Sequence, residues 1–292
     1  MNSMKMKRRD GTVCQSENGQ QKMLGVLYGT TFGRMLLKPL TAPWISCLAG
    51  RFLSTGLSCV FIGPFIRKNH IDMSQYEPGP FKSYNDFFAR HVRDGARLVD
   101  MQEDHLISPA DSKLTVLPIE KDGRFTIKHT EYTVASLLKN EELAGRFEGG
   151  QMLIFRLTVD DYHRYCYIAD GEKEDNVYIS GKFHTVNPIA NDYFPIYKEN
   201  AREYTLLHTE AFGDMVIMEV GALLVGKIRN LHGRCTVHRG EEKGYFEFGG
   251  STVVVLLQKG MARVDEDIVL NSRDGCETVV RMGEKIGCKA IN

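Results

Sequence analysis

Hydrophobic positions along the 292-residue chain change rhythm near residue 105. Before it, apolar residues fall in clusters compatible with short amphipathic helices. After it they form short runs separated by Gly, Asp and Asn, the punctuation of strands and turns. The pattern predicts strands at 106–107, 115–117, 125–127, 152–157, 205–208, 215–220, 223–228, 236–238, 245–248 and 253–257. It also predicts short helices after Ser83 and over 134–143. Ser83 is a natural N-cap, and Asp86 three residues on sits near the positive end of the helix dipole. The expected fold class is α+β: a β-rich, barrel- or sandwich-like domain over 105–292, preceded by an amphipathic helical segment over 23–104 and a polar, disordered tail over 1–22.

Charge sharpens the reading of the helical segment. Lys and Arg together match Asp and Glu, 37 against 37, yet residues 18–71 contain no Asp or Glu. Lys22, Arg34, Lys38, Arg51, Arg67 and Lys68 are spread among Trp44, Phe52, Phe61, Phe65 and aliphatic residues. The longest uncharged stretch, 52–66, has 15 residues, two Gly and a Pro. A spanning helix needs about 20 apolar residues. Two readings remain open on this pattern: helices lying on an anionic bilayer surface, or a helical subdomain packed on the protein's own core.

The zero net charge gives no reason to expect nucleic acid as a partner. Seven scattered cysteines with no CxxC pair suit neither a disulfide framework nor a zinc site, and no metal is expected. A reducing compartment follows from the same usage. The N-terminus lacks the apolar run of a signal peptide.

The chemistry gathers around Gly249-Gly250-Ser251-Thr252, between the alternating Tyr245-Phe246-Glu247-Phe248 and the apolar Val253-Val254-Val255-Leu256-Leu257. Two glycines between strands permit a sharp bend and set a hydroxyl nucleophile at the start of buried β structure. Read alone, the motif is more often a structural bulge. Elsewhere, Asp111 follows Ser-Pro-Ala at a strand end. His163 lies in Asp160-Asp161-Tyr162-His163-Arg164-Tyr165-Cys166, directly after a predicted strand. His184-Thr185-Val186-Asn187-Pro188 is a second polar strand end, and Glu219-Val220-Gly221-Ala222 brings small residues into a strand. Asp111, His163 and Ser251 are candidates for a triad, in which an acid orients an imidazole that takes the proton of a hydroxyl.

These motifs, in this order, resemble the phosphatidylserine decarboxylase family, and the similarity runs from about Tyr28 to the end. Phe32-Gly33-Arg34 and Asn85-Asp86-Phe87-Phe88 are similar to its bacterial members. The resemblance implies self-cleavage at Gly250-Ser251 into a beta chain, 1–250, and an alpha chain, 251–292. Ser251 then becomes a pyruvoyl cofactor (covalent pyruvate) that forms a Schiff base with phosphatidylserine, releasing carbon dioxide and phosphatidylethanolamine. It implies Asp111, His163 and Ser251 as the charge relay for cleavage, an anionic membrane surface as partner, and a peripheral location on the cytoplasmic face of the cell membrane. A homodimer is left open. One departure stands out: many members carry a second His where this chain has Cys166. His163 is therefore expected to serve both cleavage and decarboxylation. The competing readings are a self-processing decarboxylase of another amino acid or aminolipid, and a non-enzymatic membrane-binding β module.

Overall fold

The unbroken apolar run after Ser251 becomes the middle of the largest sheet. The computed structural model describes residues 5–14, 27–31, 33, 35, 37, 41, 43–127, 130–182, 184–185, 194–222, 227–247 and 251–290. The strand Ser251–Leu257 is buried along its whole length. It lies between Gly213–Val220 and Gln151–Leu157, antiparallel to both. Outward on one side come Arg202–Thr209, Gly171–Lys173 and Cys235–Val237, and on the other Ser112–Pro118 and Cys276–Val280. Val177–Ile179 pairs with Arg202–Thr209 off this path. The described strands form an open order, so the sheet does not close into a barrel.

Side-chain alternation divides the central strand between two cores. Val253, Val255 and Leu257 pack with Tyr165, Tyr167, Phe246, Ile107 and Ile286. Tyr165, Phe246, Ile107 and Ile286 belong to two three-stranded sheets, Ile228–Asn230/Glu242–Phe246/Arg164–Cys166 and Ala262–Val264/Lys285–Lys289/His105–Ile107. Val254 and Leu256 pack with Leu137, Leu138, Phe147, Ile196 and Tyr197. A strand buried on both faces reads as a continuous apolar run, which accounts for the sequence 253–257. The result is the expected mixed α+β, sandwich-like layering, with the sheet covered by smaller sheets on one face and by short helices and a hairpin on the other.

Three expectations change. The helix over 134–143 is two helices, Val134–Leu138 and Glu141–Gly145. Lys139 turns left-handed between them (φ 50°), and the Asn140 side chain caps the second by accepting from Leu143 N at 3.0 Å. Within the expected disordered tail, residues 5–14 carry the strands Lys5–Lys7 and Val13–Cys14, the first parallel to Cys276–Val280. Arg9 fastens them to Asp265 and Asp267 at 2.7 and 2.9 Å. Of the strand expected at 223–228, residues 223–226 lie outside the described residues, and Ile228–Asn230 is a strand.

The N-terminal helical segment presents its apolar stripe to solvent. In the helix Pro43–Leu53, Trp44, Leu48 and Phe52 recur every fourth residue, and Trp44 is 65% and Leu48 62% exposed. Leu57, Val60 and Phe61 on the following 3-10 helix, Gly56–Phe61, continue the exposed face. The inner side is held by polar ties to the helix Tyr84–Phe88. Asn85 Nδ2 donates to Ser54 Oγ (2.9 Å) and Gly50 O (3.3 Å), and Tyr84 N donates to Ser58 Oγ (2.8 Å). Among the described residues no helix is long and apolar enough to cross a membrane.

Because the central strand has no solvent-facing side, truncating it leaves a cavity that neighbours cannot fill. Leu256→Ala is expected to cost about 2–5 kcal/mol of stability. Urea unfolding should show the midpoint falling with the slope unchanged.

Candidate active site

The site forms where the chain passes between the large sheet and the three-stranded sheet that contains Glu242–Phe246. Ser251 pairs with Leu157 at the edge of the large sheet. On the small sheet, Phe246 N donates to His163 O at 2.9 Å. The segment 158–162 therefore leads from the strand position paired with Ser251 across to His163 on the small sheet. Phe248, Gly249 and Gly250, with the expected bend and cleavage position, lie outside the described residues. The alternation that sends Val253 toward the small sheets sends Ser251 the same way. Ser251 is 1% exposed, and its Oγ has no hydrogen-bond partner among the described residues.

His163 is fully buried, with its ring 4.0 Å from that of Phe88. Nδ1 lies 2.9 Å from Asp161 O. A carbonyl oxygen can only accept, so Nδ1 carries the hydrogen and the lone pair is on Nε2. Nε2 has no partner among the described residues. Burial lowers the imidazole pKa to about 3, and the nearby Arg90 charge adds to the effect. The ring is thus a neutral base whose lone pair is not engaged by the described residues.

The loop that presents His163 is clipped from below. Lys113 Nζ meets both Asp161 oxygens, at 2.7 and 2.6 Å, and Thr158 Oγ1 at 2.6 Å. Asp161 also accepts from Thr158 N at 2.6 Å. Burial raises the Asp161 carboxyl above its usual value, with Lys113 pulling it back. Asp160, despite burial, is held below its usual value by Lys113 and Thr158. The two acids preceding the imidazole therefore shape its loop, and Asp161 touches it only through a backbone carbonyl.

Asp111 makes no hydrogen bond to His163. Its carboxylate accepts from Arg97 Nε at 2.9 and 3.0 Å and from Met282 N at 2.9 Å. Its charge still reaches Tyr162 and Cys166, disfavouring ionisation of both. The Cys166 thiol is pushed up to about 12, first by burial and then by Asp111 and Glu242. It stays protonated and cannot substitute for an imidazole as base.

The other singled-out motifs serve different ends. His184 is buried on the opposite face, stacked on Phe194 with 4.5 Å between ring centres. Asn200 Nδ2 bonds both His184 O and Gly221 O at 2.7 Å, tying this turn to the end of the strand beside Ser251. Val186, Asn187, Pro188, Val225 and Gly226 lie outside the described residues. Glu219 forms a fully buried ion pair with Lys243 at 2.8 Å, joined by Asn230. Lys243 sits at a register shift in its strand, where a Cβ on Gly244 would come 2.2 Å from Arg229 O. Sequence reasoning missed Arg97 and Lys113. A lysine opening a strand that is otherwise buried was a signal for Lys113. Arg97, in a polar turn, offered none.

Comparison with known proteins decides the lineage. A family profile described as phosphatidylserine decarboxylase matches residues 84–288. A phosphatidylserine decarboxylase proenzyme 2 from Clostridium acetobutylicum is 47% identical over 274 residues, 94% of this chain and 93% of that protein. The chain belongs to the phosphatidylserine decarboxylase family. Two further relatives with the proenzyme name come from Ruminiclostridium cellulolyticum and Fusobacterium nucleatum. The first is 38% identical, covering 91% of each chain, and the second 36%, covering 97% of this chain and 96% of its own. The family profile opens at Tyr84, the first residue of the helix that stacks Phe88 on His163, so the exposed N-terminal helices precede the region it spans.

The buried imidazole makes a prediction about acid stability. Its folded pKa, about 3, lies below the unfolded value of 6.5, so the unfolded chain takes up the proton first as pH falls. The stabilisation is complete above pH 6.5 and is lost progressively toward pH 3. At pH 5 the loss from this group is about 2 kcal/mol. With Ser251→Ala in both proteins, urea unfolding at pH 7 and pH 5 should show a steeper loss for the His163 chain than for His163→Gln.

Proposed function

We propose that this family member is a self-cleaving, pyruvoyl-dependent decarboxylase acting on phosphatidylserine at a membrane surface. The observation that carries the reading is that two buried polar groups have no partner among the described residues: the Ser251 hydroxyl and the Nε2 lone pair of a neutral His163 imidazole, which follows closely on the strand paired with Ser251. The proenzyme name of the relatives supports a precursor that matures by cleavage.

The chain's own groups supply the maturation. His163 Nε2 takes the Ser251 hydroxyl proton as Oγ bonds to the Gly250 carbonyl carbon. The Gly250–Ser251 C–N bond then breaks, the proton passes to the departing nitrogen, and an ester links the two chains. Loss of the Ser251 α-proton drives the electron pair toward Cβ and expels Gly250 as a carboxylate. Addition of water to the remaining dehydroalanine and loss of ammonia leave a pyruvoyl cap on 251–292. Ser251 suits this role: it opens a fully buried strand, and its Oγ spends nothing on the described scaffold. The group so formed supplies a ketone that captures the substrate amine and an electron sink for loss of carbon dioxide. His163 Nε2 is the group positioned to hold and return the proton that replaces carbon dioxide on the substrate carbon. Asp111 is the acid of the set. Its support is a fixed orientation on Arg97 and a field that reaches the residues flanking His163. The strand Ser251–Leu257 keeps the short chain in place through pairing on both sides.

Membrane contact is assigned to the outward stripe of Trp44, Leu48, Phe52, Leu57 and Val60. Arg51, Arg67 and Lys68 lie in the same segment for anionic headgroups, and no acid interrupts it. The protein would then be peripheral, on the cytoplasmic face.

Three measurements test these assignments. On denaturing gels and by intact mass, the unaltered chain should appear as 1–250 and 251–292, and Ser251→Ala as one species near 33.0 kDa. His163→Ala should also stay whole; ordinary cleavage in that variant would assign the proton to another group. Mature protein should release carbon dioxide from phosphatidylserine vesicles and none from free serine. Trp44 is the single tryptophan. Its fluorescence should shift to the blue with anionic vesicles, and the shift should weaken as salt rises. An unmoved spectrum would remove the bilayer assignment.

A further inference from the structure

Two buried arginines in this fold grip a carboxylate edge-on through the same pair of nitrogens. Arg97 uses Nε and Nη2 on Asp111, and Arg156 uses Nε and Nη2 on Glu277. Arg90 is as deeply placed, at 2% exposure, but its arrangement differs. Its Nη1 donates to Phe87 O at 3.3 Å, while Nε and Nη2 have no hydrogen-bond partner among the described residues. Its guanidinium carbon lies 4.0 Å from the centre of the Tyr76 ring and 4.8 Å from that of Phe87. Aromatic faces satisfy the flat side of a guanidinium but accept nothing from the N–H bonds in its plane. A buried donor left unpaired is costly, so two on one edge call for an explanation.

The surroundings of that edge supply one. Phe88, two residues earlier, lies against His163, and Arg164, the residue after His163, donates from Nε to Ala89 O at 2.7 Å. On its other side, Phe87 packs against Phe65 and Phe81, beneath the exposed apolar helices. Arg90 therefore stands between the membrane-facing segment and the imidazole, where the headgroup of a bilayer lipid would enter. We propose that the Nε–Nη2 edge of Arg90 binds the phosphodiester of the substrate headgroup. The proposal rests on the reading of the chain as a phosphatidylserine decarboxylase and adds the residue that recognises the lipid.

The phosphate is a better target than the carboxylate on energetic grounds. A paired guanidinium would stabilise the carboxylate before carbon dioxide leaves and raise the barrier to its loss. Binding energy taken from the phosphate, which does not react, orients the substrate without that penalty. The fork geometry matches two phosphate oxygens as well as two carboxylate oxygens.

Full-length Ser251→Ala protein, which lacks the pyruvoyl group, provides a readout independent of turnover. Calorimetric titration with glycerophosphoethanolamine, which has the phosphodiester and no carboxylate, should give saturable binding. Adding Arg90→Gln should weaken it at least tenfold, and Arg90→Lys, which keeps the charge and loses the fork, should fall between. Free serine should not compete. In mature enzyme, Arg90→Gln should raise KM for phosphatidylserine at least tenfold with kcat within about threefold. Circular dichroism and a cooperative melt check folding; if Arg90→Gln fails them, Arg90→Lys decides. Equal affinity with and without the arginine overturns the proposal, as does the absence of binding by any of the chains. Competition by serine that vanishes in Arg90→Gln overturns it in favour of a carboxylate grip. Arg90-dependent binding in a protein whose mature form leaves phosphatidylserine untouched would sink the decarboxylase reading while the anion site stands.

Discussion

The constraint on which the rest depends is the register of the strand Ser251–Leu257. Both of its edges are paired, along Gly213–Val220 and along Gln151–Leu157, and both of its faces are buried. A one-residue slip would send every side chain to the opposite core, so the pairing is strongly specified. Ser251 is the first residue in that register. Its backbone is therefore fixed by a whole sheet. On the proposed reading, the nucleophile is thereby held still on its own side of the bond to be cut. The same pairing explains how a chain cut at this point would keep its short fragment.

The second requirement is a base that is unprotonated when needed. Burial provides it, because a charged imidazole in that site would lack the solvation it has in water. Asp161 fixes the tautomer through its carbonyl, and Lys113 fixes Asp161. The acid expected to orient the imidazole, Asp111, is occupied by Arg97 instead. Orientation and charge are thus handled by separate groups, a backbone carbonyl for the first and nearby side chains for the second.

Much of the large sheet was legible because its strands are apolar on both faces or alternate cleanly, as over 152–157 and 253–257. The C-terminal strands were not, because charge interrupts them: Cys276–Val280 buries Glu277, and the residue that makes this tolerable, Arg156, is 121 positions away. The hairpin at 5–14 was hidden for the same reason, since its anchor is Arg9 reaching Asp265 and Asp267. Ser251 and His163 were singled out by their strand-end positions. Lys113 and Arg97, which hold Asp161 and Asp111, were not, because they act through contacts that only the fold creates. The break at Lys139 escaped notice because nothing in its residue type favours a left-handed turn.

The exposed apolar stripe and the His163 imidazole are separated by a single short element. The helix Tyr84–Phe88 receives the N-terminal helices through Asn85 and the Tyr84 backbone, and lays Phe88 on the imidazole. Its inner positions are aromatic, and its neighbours Phe65 and Phe81 meet Tyr84 and Phe87 edge to face. Such close-packed rings transmit displacement rather than absorb it. A segment settling on a bilayer would push on this cluster first, and the cluster touches His163 directly. On the proposed reading, the exposed stripe is part of the active site's outer wall rather than an appendage, and the buried polar ties from Asn85 and Tyr84 hold it there.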